Sequence, residues 1–538
     1  MIHSPCKTRA LPKAWMLLIG VILLWIYGYR ISTNPLTWEE PRRCLVALEM
    51  IYRGDYVVPY VLGESYRNKP PLQNWLIVLF AGNRADRVGQ VPIRLISVLS
   101  LVGIALCLWR FAPGQSTTDL AWMPVLIFLT MGIVVQYGRS GELDALFTFW
   151  IVAAFGCFET GRRAQSPWRQ WCLSQVVLAG GVLTKVLAPV FFYPPILYCV
   201  WKDRKNVPFA LWPFLLGLIT EIVLVSAWLI PYSQRSSAAS LGQRWTEELL
   251  SRTPLGSSMV QFVAHIAYFP FEIIGTMLPW SLVFGLCLLP QVRRAMLHAV
   301  QREPCLRLAA AISLWSLGLL WPMPGAKGRY LFPALAFFAV LVGHTLVCGF
   351  AAVQDAGGLL SVRLLGLVKA TWVKRRTAWL MLGLCWGLGL CLMTFVTDHE
   401  ALWQPLVIGL VAIASTGYVV RAKQATWPFC MLFLMALLYG ILYAGVSRVI
   451  VAETEAQLVQ SARTIAASIE ESLPVVCDSG ASYHACFVIS RHLGGPLHRV
   501  HPPQGSYLLV TSLLRGAQAH GQLLAQVAPL ALWRITRD

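Results

Sequence analysis

Charge is what this chain has least of: 13% of its 538 residues are Asp, Glu, Lys or Arg, against about 25% in soluble domains. With 57% of residues hydrophobic and a mean hydropathy of +0.61, a water-soluble fold would have nowhere to bury its apolar surface. Acids are scarcer than bases, 25 against 44, and the net charge of +19 suits nucleic acid, anionic lipid head groups or a phosphate-bearing molecule. Hydropathy excludes the first of these, so no nucleic-acid partner is expected. None of the 14 cysteines has metal-binding or thioredoxin-like spacing, and Cys107, Cys157, Cys199, Cys287, Cys385 and Cys430 sit in apolar runs as small hydrophobes. No internal repeat is visible, which weighs against an inverted-repeat transporter. No small-residue cleavage site follows the apolar stretch from Ala14 to Tyr29, which Lys7, Arg9 and Lys13 precede, so it reads as an uncleaved first span.

What is abundant is apolar sequence in lengths of about 17–25 residues, enough to cross about 30 Å of hydrocarbon. Such runs fall near 13–30, 92–111, 119–137, 143–161, 170–186, 187–201, 208–231, 269–290, 308–322, 330–349, 379–396, 404–420 and 427–447. The expected fold is therefore an all-α polytopic membrane protein of about thirteen spans. The run from Leu72 to Ala81 is too short to cross and reads as an interfacial or re-entrant helix in a long loop, 31–91.

Short cytoplasmic loops collect Lys and Arg. With the N-terminus inside, the inner loops hold Arg162, Arg163 and Arg169; Lys202, Arg204 and Lys205; Arg293, Arg294, Arg302 and Arg307; Lys369, Lys374, Arg375 and Arg376; and Arg421 and Lys423. An odd number of spans divides the chain into a transmembrane domain, 1–447, and an outer soluble domain, 448–538. In that tail Glu453 to Glu471 has helical spacing, Val475 to Ile489 and Tyr507 to Thr511 read as short strands, and Gly494 to Gly505 is turn-rich, which predicts a small α/β unit. Cys477 and Cys486 would lie in an oxidising compartment, where a disulfide between them is plausible.

This topology gathers charged features on the outer side, where intramembrane and boundary charges are functional candidates. Glu39 and Glu40 in TWEEPRR either supply a general base tuned by Arg42 and Arg43 or complement the first turn of a helix. Lys69 before Pro70 and Pro71 either meets a phosphate or snorkels. Glu142 and Asp144, with Arg139 just before them, open the fourth span, the two carboxylates as site acids or as helix caps. Lys185 interrupts two apolar runs, as a site cation or a turn lysine. Lys327, Arg329 and Tyr330 in KGRYLFP form a good anion site beside glycines. WTEELLSR, with Trp245, Glu247, Glu248 and Arg252, has the composition of a surface helix, and His265 is a lone histidine near a span.

In this order the pieces resemble the bacterial aminoarabinose transferases and protein O-mannosyltransferase-like enzymes of the GT-C glycosyltransferase superfamily. The most specific match is EEPRRCLVALEMIYRGDYVVPYVLGESYRNKPPLQNWL; PIRLISVL, RSGELDALF, LTK, WTEELLSR, LPWS and KGRYLFP extend it over about residues 13–350. The resemblance implies an inverting transfer of a sugar from a polyprenyl-phosphate donor to a lipid (lipid A-like) or glycan acceptor at the outer face of the cytoplasmic membrane, by a monomer. A protein acceptor, or a non-enzymatic flippase of lipid-linked sugars, is the alternative. By position Glu39 stands for the family's loop carboxylate, usually Asp, with Glu40 and Arg42 in support, and Asp144 for a second outer acid. Lys69, Arg329 and Tyr330, with Lys327 and Lys185 at the same boundary, would hold the donor phosphate. The family commonly has Glu where Asn68 stands and often Tyr where Arg43 stands. If that Glu helps bind a divalent metal with a histidine such as His265, Asn68 removes one ligand.

Overall fold

The computed structural model describes residues 31–111, 122–204, 209–236, 238–251, 253–355, 455–469, 473–478, 481–499, 505–512 and 522–537, with parts of a helix between 20 and 28. The expected spans 379–396, 404–420 and 427–447 lie outside the described residues, as does most of the first. The described chain is mainly helical: α1 (Glu40–Arg53), α2 (Leu72–Phe80), α3 (Gln90–Phe111), α4 (Trp122–Leu129), α5 (Gly132–Tyr137), α6 (Leu143–Arg163), α7 (Ser174–Thr184), α8 (Ala188–Asp203), α9 (Leu211–Arg235), α10 (Ala238–Leu250), α11 (Met259–Thr276), α12 (Pro290–Arg302), α13 (Pro304–Leu320) and α14 (Phe332–Asp355). Among the described residues five helices are long and apolar enough to cross a membrane, and α12 with α13, bent by 105°, adds a sixth candidate.

The centre of the bundle is α6, packed between α3 and α7 and touching α14. Small residues let its neighbours close in: a side chain at Gly180 of α7 would meet the Trp150 ring of α6 at 2.6 Å. Aromatic edges fill the bundle toward the far end of α6, where Trp171 packs against Phe158, Phe209 and Phe214 at centroid distances of 5.0 to 5.4 Å. At that end Arg162 and Arg163 close on the buried Glu159 at 2.6 and 2.8 Å, and Arg307 pairs with Asp203. The basic loops thus meet acids at the helix end opposite Asp144.

Two of the apolar runs are not single helices. The run 119–137 breaks between α4 and α5, where Met131 is extended, and the run 269–290 ends its helix at Thr276 and continues as 3-10 turns from Trp280 to Leu288. The breaks face one another: Gly132 N–H donates to the Leu278 carbonyl at 3.0 Å, and Trp280 Nε1 donates to Thr130 Oγ1 at 2.8 Å. One bond joins a backbone donor of one break to a backbone carbonyl of the other, and the second joins their side chains, which satisfies polar groups that irregular chain in a bilayer could not leave open.

Helix α2 is nine residues long, about 14 Å, too short to cross. It packs with α1, and a short hairpin, β1 (Tyr60–Val61) and β2 (Glu64–Ser65), lies over α1. The same apolar cluster continues into the C-terminal residues, joining Leu45 and Leu48 of α1 to Ala485 and Ile489. There a parallel pair, β3 (Val475–Cys477) with β4 (Gly505–Ser512), extends through β6 (Leu530–Arg537) to β5 (Gln522–Val527) in the order β3-β4-β6-β5. The stretch expected as one strand from Val475 to Ile489 stops at Cys477 and resumes as a helix, α15 (Tyr483–Leu493). Ser482 caps it by accepting from His484 and Ala485 N–H, and Gly494 ends it in the left-handed conformation, so the capping chemistry overrides the β-branched run. Cys477 and Cys486 are both buried and unlinked.

Candidate active site

The site starts at TWEEPRR. Trp38 holds φ 52°, a left-handed conformation that a bulky residue adopts only when its surroundings over-determine it. The two carboxylates that follow have opposite environments. Glu40 is wholly buried: Arg94 donates to it through Nε (2.9 Å) and Nη2 (2.8 Å), Gly141 N–H at 2.5 Å and Thr37 N–H at 2.8 Å. Arg94 also donates to the carbonyls of Ile31, Asn34 and Pro35, so one ion pair fastens the 31–37 segment to α3 and to the turn before α6. With four donors satisfied, Glu40 has no oxygen to offer a substrate, and its place in the site is to hold.

Glu39 is the accessible acid. Its side chain is 35% exposed and paired with Arg42, while its backbone N–H donates to Glu142 Oε1 at 3.2 Å. Glu142 is the residue before α6, and its other oxygen accepts from Arg329 Nη1 at 3.5 Å. Two residues on, Asp144 pairs with Lys185 Nζ at 2.5 Å. Lys185 reaches it because α7 ends there in extended backbone, and its ammonium lies 5.1 Å from the Phe147 ring centroid and 5.9 Å from that of Tyr330. The Arg329 guanidinium lies 5.7 Å from the Tyr137 ring and 5.8 Å from Tyr330, and its enclosed Nε has no hydrogen-bond partner among the described residues. Two acid–cation pairs, Glu142–Arg329 and Asp144–Lys185, thus stand beside Glu39 at one end of the apolar bundle. The KGRY turn is fixed by Glu272, which accepts from Gly328 N–H at 2.6 Å; any side chain at Gly328 would meet Thr276 at 2.6 Å.

Burial, and then the charge of Asp144 beside it, push the Glu142 carboxyl up to about 7 against the pull of Arg329 and Arg43. A carboxyl held above its unfolded value binds more protons when folded. It therefore subtracts stability as pH rises from 4.5 to about 7, on the order of 3 kcal/mol in all. Glu142→Gln is accordingly expected to lessen the fall in thermal midpoint between about pH 5 and about pH 8. Thermal unfolding of the detergent-solubilised variant at the two pH values checks this, and an undiminished fall would contradict the environment assigned to Glu142.

Of the residues expected from sequence, Glu39, Arg42, Asp144, Lys185, Arg329 and Tyr330 come together. Lys69 lies half-buried in the loop before α2, next to Asn68, whose Oδ1 accepts from Arg244 of α10 at 3.3 Å. Lys327 is exposed, turned to solvent beside the buried Gly328. His265 stacks on Phe269 at 4.6 Å, and among the described residues no group of three His, Cys, Asp or Glu gathers to hold a metal. The donor set does not fit a metal at His265. Sequence reasoning passed over Arg94, although an arginine near the start of a 22-residue apolar helix, like Arg110 near its end, is a costly placement that signals a partner. Glu142 reads from sequence as either a site acid or a helix cap, and Glu272 has no local signal.

The family model described as dolichyl-phosphate-mannose-protein mannosyltransferase matches residues 68–230. An undecaprenyl phosphate-alpha-4-amino-4-deoxy-L-arabinose arabinosyl transferase of Pseudomonas aeruginosa (strain UCBPP-PA14) is 28% identical over 65% of this chain and 64% of its own length. The relative of that name from Serratia proteamaculans is 26% identical over 80% and 77%. The crystal structure of ArnT from Cupriavidus metallidurans bound to undecaprenyl phosphate superposes with a TM-score of 0.70 at 16% identity, covering 97% of this chain and 98% of that one. The fold is that of the ArnT structure over nearly all of the chain, and in sequence the chain resembles the aminoarabinose transferases over most of its length.

Proposed function

We propose that this chain is an inverting glycosyltransferase that moves one sugar from a polyprenyl-phosphate donor to a lipid or glycan acceptor. The observation that carries the reading is the pairing of Glu142 with Arg329 and Asp144 with Lys185 beside an accessible Glu39, in a fold shared with a protein crystallised with undecaprenyl phosphate. In this reading the acceptor oxygen attacks the anomeric carbon from the face opposite the phosphate. Glu39 orients that oxygen and takes its proton, the carbon–oxygen bond to phosphate breaks, and polyprenyl phosphate leaves. A phosphate leaving group needs cations more than a proton, and Arg329 and Lys185, both beside the Tyr330 ring, supply them. Asp144 and Glu142 stabilise the oxocarbenium-like sugar and hold the two cations in place. The site faces the outer side of the cytoplasmic membrane in this reading, with thirteen spans, the N-terminus inside, the α/β unit outside, and the protein acting as a monomer. The mannosyltransferase family match favours a protein acceptor as the second reading.

The purified chain is expected to transfer sugar from an undecaprenyl-phosphate pentose or hexose to extracted membrane glycolipid, and Arg329→Ala to reduce that transfer about tenfold or more. Mass spectrometry of the glycolipid reads the outcome. A native chain that hydrolyses and transfers nothing, or an Arg329→Ala chain with undiminished transfer, would count against the site.

A further inference from the structure

The elbow between α12 and α13 sets a basic helix against the end of the bundle away from the site. Pro304 cannot continue the helix before it, so the chain turns at the extended residue Glu303, and α12 and α13 meet at 105°. Helix α13 starts where its Arg307 pairs with Asp203, at the end where Arg162 and Arg163 close on Glu159. It then runs 17 residues, about 25 Å, to Leu320, which packs with Leu331 of the KGRY turn. A helix bent 105° from one that crosses lies near the plane of the membrane.

Helix α12 is docked on one side and open on the other. Val292 is fully buried, Met296 and Ala299, one and two turns on, pack against the core, and Thr345 Oγ1 of α14 lies 3.7 Å from Met296 Sδ. The opposite side presents Arg293, Arg294, Leu297, His298 and Arg302, all exposed, with Leu297 at 57%. None of the three guanidinium groups has an ion-pair partner among the described residues, and the sequence holds no acid from Ser281 to Arg302. The other surface helix, α10, differs: its Arg244 meets Glu247 at 3.8 Å, and Glu248 follows.

A guanidinium fork fits phosphate oxygens, and an apolar side chain set among basic ones at a membrane boundary enters the acyl layer while its neighbours stay with the head groups. We propose that α12 is an interfacial helix that binds anionic phospholipid of the leaflet opposite the site. Arg293, Arg294 and Arg302 meet the phosphates, and Leu297 meets the acyl chains. The inference stands apart from the sugar-transfer reading, since none of these residues lies at the site. Lipid held there fixes the elbow from which α13 runs to the KGRY turn.

The test uses the full chain in neutral detergent, with fluorescent phosphatidylglycerol and phosphatidylcholine of the same acyl chains as probes. An arginine beside an anionic surface contributes about fivefold in affinity, so the native chain is expected to bind phosphatidylglycerol about tenfold or more tightly than phosphatidylcholine. Replacing Arg293, Arg294 and Arg302 together by Gln is expected to bring the two lipids within about threefold, and replacing them by Lys to keep most of the preference. Leu297→Asp, a single exposed change, is expected to weaken phosphatidylglycerol binding about fivefold. Replacing the exposed Arg67, Arg84 and Arg87, which flank α2, by Gln is expected to leave the preference unchanged. Equal binding of the two lipids by the native chain, a preference that survives the α12 glutamine changes, or an equal loss on changing the α2 arginines overturns the proposal. Displacement of phosphatidylglycerol by inorganic phosphate does so too, because the helix then takes the anion and not the lipid.

Discussion

Glu39→Gln is expected to slow sugar transfer by about a hundred- to ten-thousandfold, the span usual for a lost general base, and to leave the affinity for polyprenyl phosphate unchanged. Access singles Glu39 out. Of the carboxylates gathered at this end of the bundle, Glu40 is saturated by Arg94, Gly141 and Thr37, Asp144 is buried against Lys185, and Glu142 is buried against Arg329. Only Glu39 among these four keeps an exposed side chain, and its one side-chain partner, Arg42, is itself partly exposed. The amide preserves size and the backbone contact to Glu142, so a loss reports chemistry and not collapse. Single-turnover transfer assays, with undecaprenyl phosphate binding measured in parallel, decide the matter: a variant within tenfold of native turnover would move the base elsewhere.

Cutting one side of the Glu40–Arg94 pair is expected to be among the most damaging single changes to folding, about 3–5 kcal/mol, because it strands a charge in a fully buried position. Burial alone would push the Glu40 carboxyl up, but Arg94 and the Gly141 and Thr37 N–H groups outweigh it and hold the carboxyl below the usual range. Its contribution is therefore present at neutral pH and is lost as pH falls through the carboxylate range, the opposite sign to Glu142. Glu40→Leu and Arg94→Leu should each lower the thermal midpoint and the yield of folded protein in detergent. The double change should recover part of the loss, since it leaves no unpaired charge. Single variants as stable as native would show that water or a neighbouring group replaces the pair.

How much of this was readable beforehand differs by element. Loop charge and run length placed α3, α6, α9 and α14, because a hydrocarbon-length apolar run has few alternatives. They misplaced the runs 119–137 and 269–290 as continuous spans, since hydropathy does not register a break whose polar groups are satisfied by a partner 150 residues away. The acids and cations of TWEEPRR, RSGELD, LTK and KGRY were legible as types. Their division of labour was not: adjacent Glu39 and Glu40 are chemically alike, and only the contact with Arg94, 54 residues on, sets one inward. The four-stranded order in the tail was equally hidden, although the alternation in LALWRITR, the sequence of β6, carries the signal of a half-buried strand.

The facing breaks at Thr130–Met131 and Leu278–Trp280 bear on how the chain enters a bilayer. Helix α4 emerges from the ribosome well before Leu278 exists, so for that interval the Gly132 N–H and the Thr130 hydroxyl have no long-range partner. A backbone group left unsatisfied in hydrocarbon costs several kcal/mol. A segment that adopted its break before Leu278 is made would carry that cost, whereas a continuous helix through Thr130 would not, so the break is expected to form only once the second half is made. Biogenesis of the membrane core is in this sense a two-part closure, completed when the chain reaches Trp280.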